Sequence, residues 1–417
     1  MSERKRILFV AEAVTLAHVA RPLALAMTLD RTRFDVVFAC DPRYRSLFPP
    51  LPWPVRSIRS ISSERFLDAL GHGKPVYDAE TLAEYVQEDR SVLAEVQPDL
   101  VVGDFRLSLS VSARIARVPY VALTNAYWSP HSPQHFPLPE LPLNRLVGLR
   151  LASLLFGLAR PFAFALHTRP LNHVRRAHGL PSLGYDLRRV YTDADFTLYA
   201  DIPEMVPCYD LPATHSYLGP VLWSPNVPLP GWWDQVPTDR PCVYVTLGSS
   251  GHRKLLPLVL DALAPLSVTA IGATAGGATN MAPPNAHLAA FLPGSAASER
   301  SNVVICNGGS PTSQQALAAG VPVLGIASNL DQFLNMEAVR RAGAGIVLRS
   351  DGATPQAIRT AVQELLAKPG YRDAARELSN VFARYPAPAR FARVVEQLCE
   401  GRTSGAGAEL VDLAGTR

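Results

Sequence analysis

Charge is sparse in this chain. Only 18% of its 417 residues are charged, and the formal net charge of +4 is small for that length. No dense Lys/Arg block with interleaved aromatics occurs, which argues against nucleic acid as a main partner. The five cysteines, Cys40, Cys208, Cys242, Cys306 and Cys399, are scattered, odd in number and free of any CxxC spacing. They read as reduced core residues rather than as a metal set or a disulfide framework. No His/Cys/Asp cluster has convincing ligand spacing, so no metal site is expected. Sequence repeats are also missing. Near the start, Arg4, Lys5 and Arg6 precede the apolar run Ile7 to Val10, but that run is too short for a secretion signal and Glu12 interrupts it. A first β-strand is the better reading.

Apolar residues, by contrast, are plentiful. At 48% hydrophobic they suffice for two cores, and 417 residues suit two α/β domains of roughly 200 residues each. In the first half, Arg6 to Val10 reads as a strand, Ala11 to Ala17 as a loop, Arg21 to Leu29 as a helix and Phe34 to Ala39 as the next strand. Strands at Leu100 to Val102 and Tyr120 to Leu123 flank a helix at Ser108 to Ile115. This alternation argues a parallel sheet with crossover helices. The proline-rich stretch Trp223 to Pro241 breaks the pattern and reads as an interdomain linker.

The most informative stretch is 303–337, VVICNGGSPTSQQALAAGVPVLGIASNLDQFLNME. Val303 to Cys306 is a β-branched strand, Gly308 and Gly309 turn the chain, and Thr312 to Ala319 is built from helix formers that Gly320 stops. Glycines at a strand end let the backbone approach a ligand, and Thr312 adds a hydroxyl where the helix N-terminus presents free N–H groups. That is a physical site for a diphosphate. Asp331 and Gln332 follow the next strand, Val321 to Ile326, at the sheet edge where open α/β sheets bind ligands. A carboxylate beside a carboxamide suits vicinal hydroxyls, so a sugar is the natural guest. The second half opens with Val243 to Leu247 and then Gly248-Ser249-Ser250-Gly251, another hydroxyl-rich turn where backbone N–H groups can meet a phosphate.

This stretch resembles the nucleotide-sugar motif of GT-B glycosyltransferases, in particular the UDP-glycosyltransferase-like family that modifies lipids, antibiotics and other small aglycones. The family pattern of His-Gly-Gly-x-x-Thr/Ser, Glu-Ala-Leu, Gly-Val-Pro and a late Asp/Glu-Gln before Asn matches Gly308, Gly309, Thr312, Ala316-Leu317, Gly320-Val321-Pro322, Asp331-Gln332 and Asn335. Two positions depart: Asn307 replaces the usual histidine and Gln315 the usual glutamate. Asparagine donates a hydrogen bond but cannot become cationic. The resemblance implies an α/β GT-B fold, two Rossmann-like parallel-sheet domains facing each other across a cleft. It implies donor contacts from Gly248, Ser249, Ser250, Leu292, Asn307, Gly308, Gly309, Ser310, Thr312, Asp331 and Gln332.

Transfer needs a base for the acceptor hydroxyl and neutralisation of the departing nucleoside diphosphate. His18, in Ala17-His-Val-Ala-Arg-Pro22, falls where the family keeps a Gly-His element, with Ala17 in place of the glycine. Asp104, ending Val101-Val-Gly-Asp, is placed to hold the imidazole in one tautomer. Helix capping is the alternative role for either residue. Asn125 and His131, with His135, lie after another first-domain strand and are candidates for the acceptor pocket. Asp193-Ala-Asp195 imitates a metal-binding DxD but sits far from the donor motif, so a turn is its expected role. The apolar stretch Val147 to Leu166 contains Arg150, Arg160 and Pro161, which argues against a membrane span. A buried helix pair roofing the acceptor pocket is expected there in preference to a membrane-surface helix.

The expected division is an acceptor-binding domain at 1–222, a linker at 223–241 and a nucleotide-sugar domain at 242–385. A helix at 386–400 is expected to cross back to the first domain, and 401–417 to be a mobile tail. The expected activity is inverting, metal-independent transfer of a sugar from a UDP- or dTDP-sugar to a hydroxyl of a lipophilic small molecule or lipid. The nucleotide sugar is a co-substrate, and no cofactor is expected. The location is expected to be cytoplasmic, with possible peripheral membrane contact. Two alternatives stay open: a UDP-sugar 2-epimerase-like enzyme of the same fold, and a non-catalytic glycosyltransferase-like partner protein.

Overall fold

Seven strands, β1 (Lys5–Ala11), β2 (Phe34–Cys40), β3 (Val55–Ser57), β4 (Leu100–Asp104), β5 (Tyr120–Thr124), β6 (Phe196–Tyr199) and β7 (His215–Tyr217), form one sheet in this computed structural model. Six more, β8 (Cys242–Thr246), β9 (Thr269–Ala273), β10 (Ala286–Ala289), β11 (Val303–Cys306), β12 (Val323–Ala327) and β13 (Gly345–Arg349), form a second. The structure describes residues 4–141, 148–248, 255–277 and 282–400. Ser249, Ser250, Gly251, Val147 and the expected tail at 401–417 lie outside the described residues.

Both sheets are parallel throughout their described pairings, in the orders β3-β2-β1-β4-β5-β6-β7 and β10-β9-β8-β11-β12-β13. The reason is legible in the strands: Ile7, Leu8, Phe9 and Val10 are all at most 3% exposed, so both faces of β1 are covered. Near-continuous apolar strands of this kind need helices on both sides. Each sheet changes winding direction once, between β1 and β4 and between β8 and β11. Ligands of open α/β sheets bind outside the carboxyl ends of strands at such points. The registers Ala11 beside Asp104 and Thr246 beside Cys306 mark the two crevices.

The first sheet carries α1 (Leu16–Ala26), α2 (Ser63–His72), α3 (Ala79–Val96), α4 (Leu109–Ala116), α5 (Leu149–Ala177) and α6 (Leu187–Tyr191). The second carries α7 (Leu255–Leu263), α8 (Gly294–Glu299), α9 (Ser310–Ala318), α10 (Leu330–Arg341), α11 (Pro355–Ala367) and α12 (Pro369–Ala383). The last helix, α13 (Ala387–Glu400), packs in the core of the first sheet, where Phe391 lies 5.8 Å from Phe9. Arg390 donates to the Tyr217 carbonyl at 3.1 and 2.9 Å. The crossing is tight: a Cβ on Gly219, at φ +97°, would stand 2.4 Å from the Tyr385 carbonyl oxygen. Only glycine fits that approach.

Two elements differ from the sequence expectation in ways that matter. Helix α1 begins at Leu16 rather than Arg21, with extended Thr15 as its N-cap. Pro22 sits within the helix, where it lacks the N–H that would take the His18 carbonyl. The expected buried helix pair after residue 147 is instead one helix, α5, running through Pro161 and Pro170. One side of it faces the cleft and the other is exposed.

Candidate functional site

The two crevices open into one cleft of about 660 Å³ between the sheets. His18, Asp104, Asn125 and Trp128 line it from the first domain; Gly248, Leu292, Asn307, Gly309, Ser310, Thr312, Asp331 and Gln332 line it from the second.

On the first side, the early start of α1 places His18 in its opening turn, over the end of β4. His18 Nδ1 lies 2.8 Å from Asp104 Oδ1. With Nδ1 donating to the carboxylate, Nε2 is the nitrogen left to accept a proton. Phe105, at φ +58°, stacks its ring on the imidazole at 4.6 Å. A bulky residue in the left-handed region is strained, and here the strain serves to hold the imidazole plane. Capping does not account for either side chain. Thr15 and Ser108 occupy the N-cap positions of α1 and α4, and Asp104 spends its oxygens on His18 and Arg21.

Asp104 is fully buried, and burial pushes its carboxyl up; the Arg21 charge and its hydrogen bonds more than offset this and hold it below the usual carboxylate value. Arg21 grips it with Nε at 2.6 Å and Nη2 at 2.9 Å, and reaches the Asn125 Oδ1 at 3.0 Å with Nη1. The Asn125 amide then donates to Asp201 at 3.1 Å. Both ends of Asn125 are therefore engaged inside the protein, although it borders the cleft. Asp201 accepts in addition from the Ala126 N–H at 2.6 Å and from Gln314 of α9 at 3.1 Å. Burial pushes its carboxyl up to about 6. His131 is not among the residues lining the cleft; its ring packs on His215 at 5.7 Å.

On the second side, Gly308 turns the chain at φ +83° and a Cβ there would stand 2.8 Å from Met336. Gly308 lies behind the cleft wall, and its flanking residues Asn307 and Gly309 face the cleft. Asn307 Oδ1 accepts the Gly309 N–H at 3.2 Å, which fixes the carboxamide against Gly248. Helix α9 starts at Ser310, two residues before the expected Thr312, and Gly309 caps it without a side chain. Pro311 carries no N–H and the Ser313 N–H is spent on the Gly309 carbonyl at 3.2 Å, so the Ser310 and Thr312 N–H groups are those left for an anion, reinforced by the helix dipole. Asn335 supports this turn from behind, donating to the Gly308 carbonyl at 2.8 Å and to Ser313 Oγ at 2.9 Å.

Asp331 and Gln332 sit in the first turn of α10, not in a loop. Asn329 and Gln332 form a capping box, a signal the N-x-x-Q spacing carries. Gln332 Oε1 accepts the Asn329 N–H of the box at 3.4 Å and the Ser328 N–H at 2.9 Å, while Nε2 is buried with no partner among the described residues. A buried unpaired donor beside a cleft calls for a ligand acceptor. Asp331 Oδ1 accepts the Trp128 Nε1–H at 2.8 Å across the cleft. Gln315, where the resemblance has glutamate, donates to the Trp223 carbonyl and Ser224 instead. The DxD-like pair is structural: Asp193 is held by Arg114 at 2.9 Å and Asp195 accepts the Tyr120 N–H at 2.9 Å.

Sequence reasoning overlooked Arg21, Trp128, Asp201 and Gln314. The one available signal was the i, i+3 spacing of His18 and Arg21, which puts both on one helix face.

Two parallel-sheet α/β domains meeting at their switch points across one cleft have the architecture of GT-B glycosyltransferases. The solved structures agree on the fold. Spinosyn forosaminyltransferase SpnP superposes with a TM-score of 0.69 at 21% identity, covering 95% of this chain and 100% of that one. Spinosyn rhamnosyltransferase SpnG, complexed with thymidine diphosphate, gives 0.68 at 20% identity, covering 94% and 100%. Residues 258–398 match the family described as erythromycin biosynthesis protein CIII-like, C-terminal domain. The chain is 58% identical over 384 residues to a PGL/p-HBAD biosynthesis rhamnosyltransferase of Mycobacterium bovis (strain BCG / Pasteur 1173P2), covering 92% of this chain and 85% of the relative. It is 56% identical over 383 residues to a PGL/p-HBAD biosynthesis glycosyltransferase of Mycobacterium tuberculosis (strain ATCC 25177 / H37Ra), covering 92% and 90%. It belongs to this family of PGL/p-HBAD biosynthesis glycosyltransferases.

Proposed function

We propose that this glycosyltransferase moves a deoxyhexose, in the first instance rhamnose, from a thymidine or uridine diphosphate sugar to a hydroxyl of a lipophilic glycolipid precursor, with inversion. The observation that carries the reading is the His18–Asp104 pair, 2.8 Å apart, facing the α9 N-terminus across one cleft. His18 Nε2 takes the proton of the acceptor hydroxyl, whose oxygen bonds to the anomeric carbon. The bond from that carbon to the diphosphate breaks, and its electron pair leaves on the phosphate oxygen, met by the N–H groups after Gly309. A single displacement of this kind inverts the anomeric centre.

The sugar lies between Asp331, Gln332 Nε2 and the indole of Trp128. That apolar wall suits a 6-deoxy sugar, in line with the rhamnosyl activity in a relative's name and the thymidine diphosphate bound to a structural neighbour. An acceptor with apolar bulk fits the lining from Phe66, Phe105, Phe156, Phe164 and Tyr191. The chain's own chemistry suffices for this route without a metal ion, so transfer is expected to persist in EDTA. The test is a thermal-shift panel of UDP, dTDP, GDP and their sugars on wild type and Asp331→Ala. A ligand bound to the folded state raises the melting temperature. A dTDP- or UDP-sugar response that Asp331→Ala reduces supports the assignment; no response at millimolar ligand overturns it.

A further inference from the structure

Helix α5 has two apolar sides, and the described residues cover one of them. Phe156, Phe164 and His167 line the cleft. The opposite stripe, Leu151, Leu154, Leu155, Leu158 and Phe162, recurs at i, i+3, i+4, i+7 and i+11, and its side chains are bare: Leu154 is 64% exposed, Leu158 68% and Phe162 78%. Of the most apolar 18-residue window of this helix, 11% is buried. A contiguous patch of this size on a folded domain marks an interaction surface.

The charge on the helix identifies the partner. All 29 residues from Leu149 to Ala177 lack Asp and Glu, while Arg150, Arg160, Arg169, Arg175 and Arg176 are present. Arg150 and Arg169 are exposed at the two ends of the bare stripe. An apolar face flanked by arginines and free of acids is the pattern of a helix lying in the interface of an anionic bilayer. Spanning is ruled out by the same geometry, since the other side of the helix is a wall of the cleft and Arg160 lies over the Phe136 ring at 4.6 Å.

We propose that α5 docks the protein on an anionic lipid surface through Leu151, Leu154, Leu158 and Phe162. The same helix then sets the acceptor side of the cleft against the lipid, so that a lipid-bearing acceptor reaches His18 while its tail stays in the bilayer. The docking stands on the exposed stripe and the arginines alone; its link to acceptor delivery rests on the function proposed above.

The experiment is co-sedimentation of the full chain with vesicles of phosphatidylcholine containing about one third phosphatidylglycerol and with vesicles of pure phosphatidylcholine. Transfer of sugar to a water-soluble acceptor analogue is measured in the absence of lipid. Wild type is expected to bind the anionic vesicles, to bind phosphatidylcholine at least tenfold less, and to weaken with salt. A Leu154→Ser/Leu158→Ser/Phe162→Ser variant is expected to lose vesicle binding and keep lipid-free transfer, which also shows that it folds. Absence of vesicle binding by wild type overturns the docking proposal. So does a dimer in sedimentation velocity that the triple variant dissolves, because the stripe is then an interface between two copies. If vesicles bind but no sugar transfers under any condition, the docking holds and the proposed function fails.

Discussion

The Trp128 indole nitrogen stands 2.8 Å from Asp331 Oδ1 and ties the acceptor-side loop to the first turn of α10 across the cleft. A carboxylate has several acceptor positions, so this bond orients Asp331 and leaves its second oxygen for the sugar hydroxyls of the proposed reaction. A hydrogen bond to a charged group contributes about 1.5–3 kcal/mol. Trp128→Phe keeps the aromatic wall and removes only the donor. The expected outcome is a rise of about tenfold or more in KM for the nucleotide sugar, with the affinity for free nucleoside diphosphate unchanged. Steady-state kinetics and calorimetry with the diphosphate check it, and an equal loss in both would move Trp128 to a general folding role.

His18→Ala removes the proposed base without touching the α9 end of the cleft. General base catalysis contributes typically 10²–10⁴-fold, so kcat is expected to fall by at least about two orders of magnitude. Nucleotide binding by calorimetry is expected to stay within about twofold, because the groups after Gly309 remain (each tenfold in affinity corresponds to about 1.4 kcal/mol). Unchanged turnover would remove His18 from the chemistry.

Much of the fold was readable because the information was local. Covered strands such as Val303–Cys306, the turn at Gly308 and Gly309, and the order of motif residues are all short-range patterns. What escaped was decided by tertiary contact. The helix expected from Arg21 begins instead after extended Thr15, and that added turn carries His18 onto Asp104. Each bond of the Arg21–Asn125–Asp201–Gln314 chain links residues 76 to 113 apart in sequence, so no window of sequence contains it. The bare side of α5 was misread for a related reason: apolar periodicity says that a face is covered by something, and it does not say whether protein or another phase covers it.

Arg21 is the predicted keystone of the first-domain site. Its guanidinium neutralises a carboxylate with no solvent exposure, and breaking such a pair by removing one partner costs about 3–5 kcal/mol. Arg21→Met preserves most of the apolar stem. It is expected to lower stability to urea by that amount and to reduce kcat, because Asp104, left with its burial and His18 alone, no longer fixes the imidazole as a full carboxylate. Urea unfolding followed by tryptophan fluorescence and turnover on the same preparation test both halves. A loss of stability with intact kcat in the remaining folded protein would separate Arg21 from the dyad.

Asp201 gives the sharpest pH prediction. Burial outweighs its hydrogen bonds to Ala126 and Asn125 and the charge of Arg21, and raises its carboxyl from 3.8 to about 6. A raised folded-state value means that the protonated form is favoured by folding. The contribution of this group to stability is therefore fully present below pH 3.8 and is lost as the pH rises through about 6. A shift of about two units is worth roughly 3 kcal/mol. Asp201→Asn removes the titration while keeping an acceptor for the Ala126 N–H. The unfolding free energy of wild type minus that of the variant is expected to decrease by roughly 3 kcal/mol between about pH 4 and pH 7. Other carboxylates cancel in that difference, so urea titrations of the two proteins at four or five pH values isolate Asp201. A difference that grows with pH would mean that the three donors around the carboxylate outweigh its burial, and that the ionised form is the one that holds Gln314 of the second domain to the first.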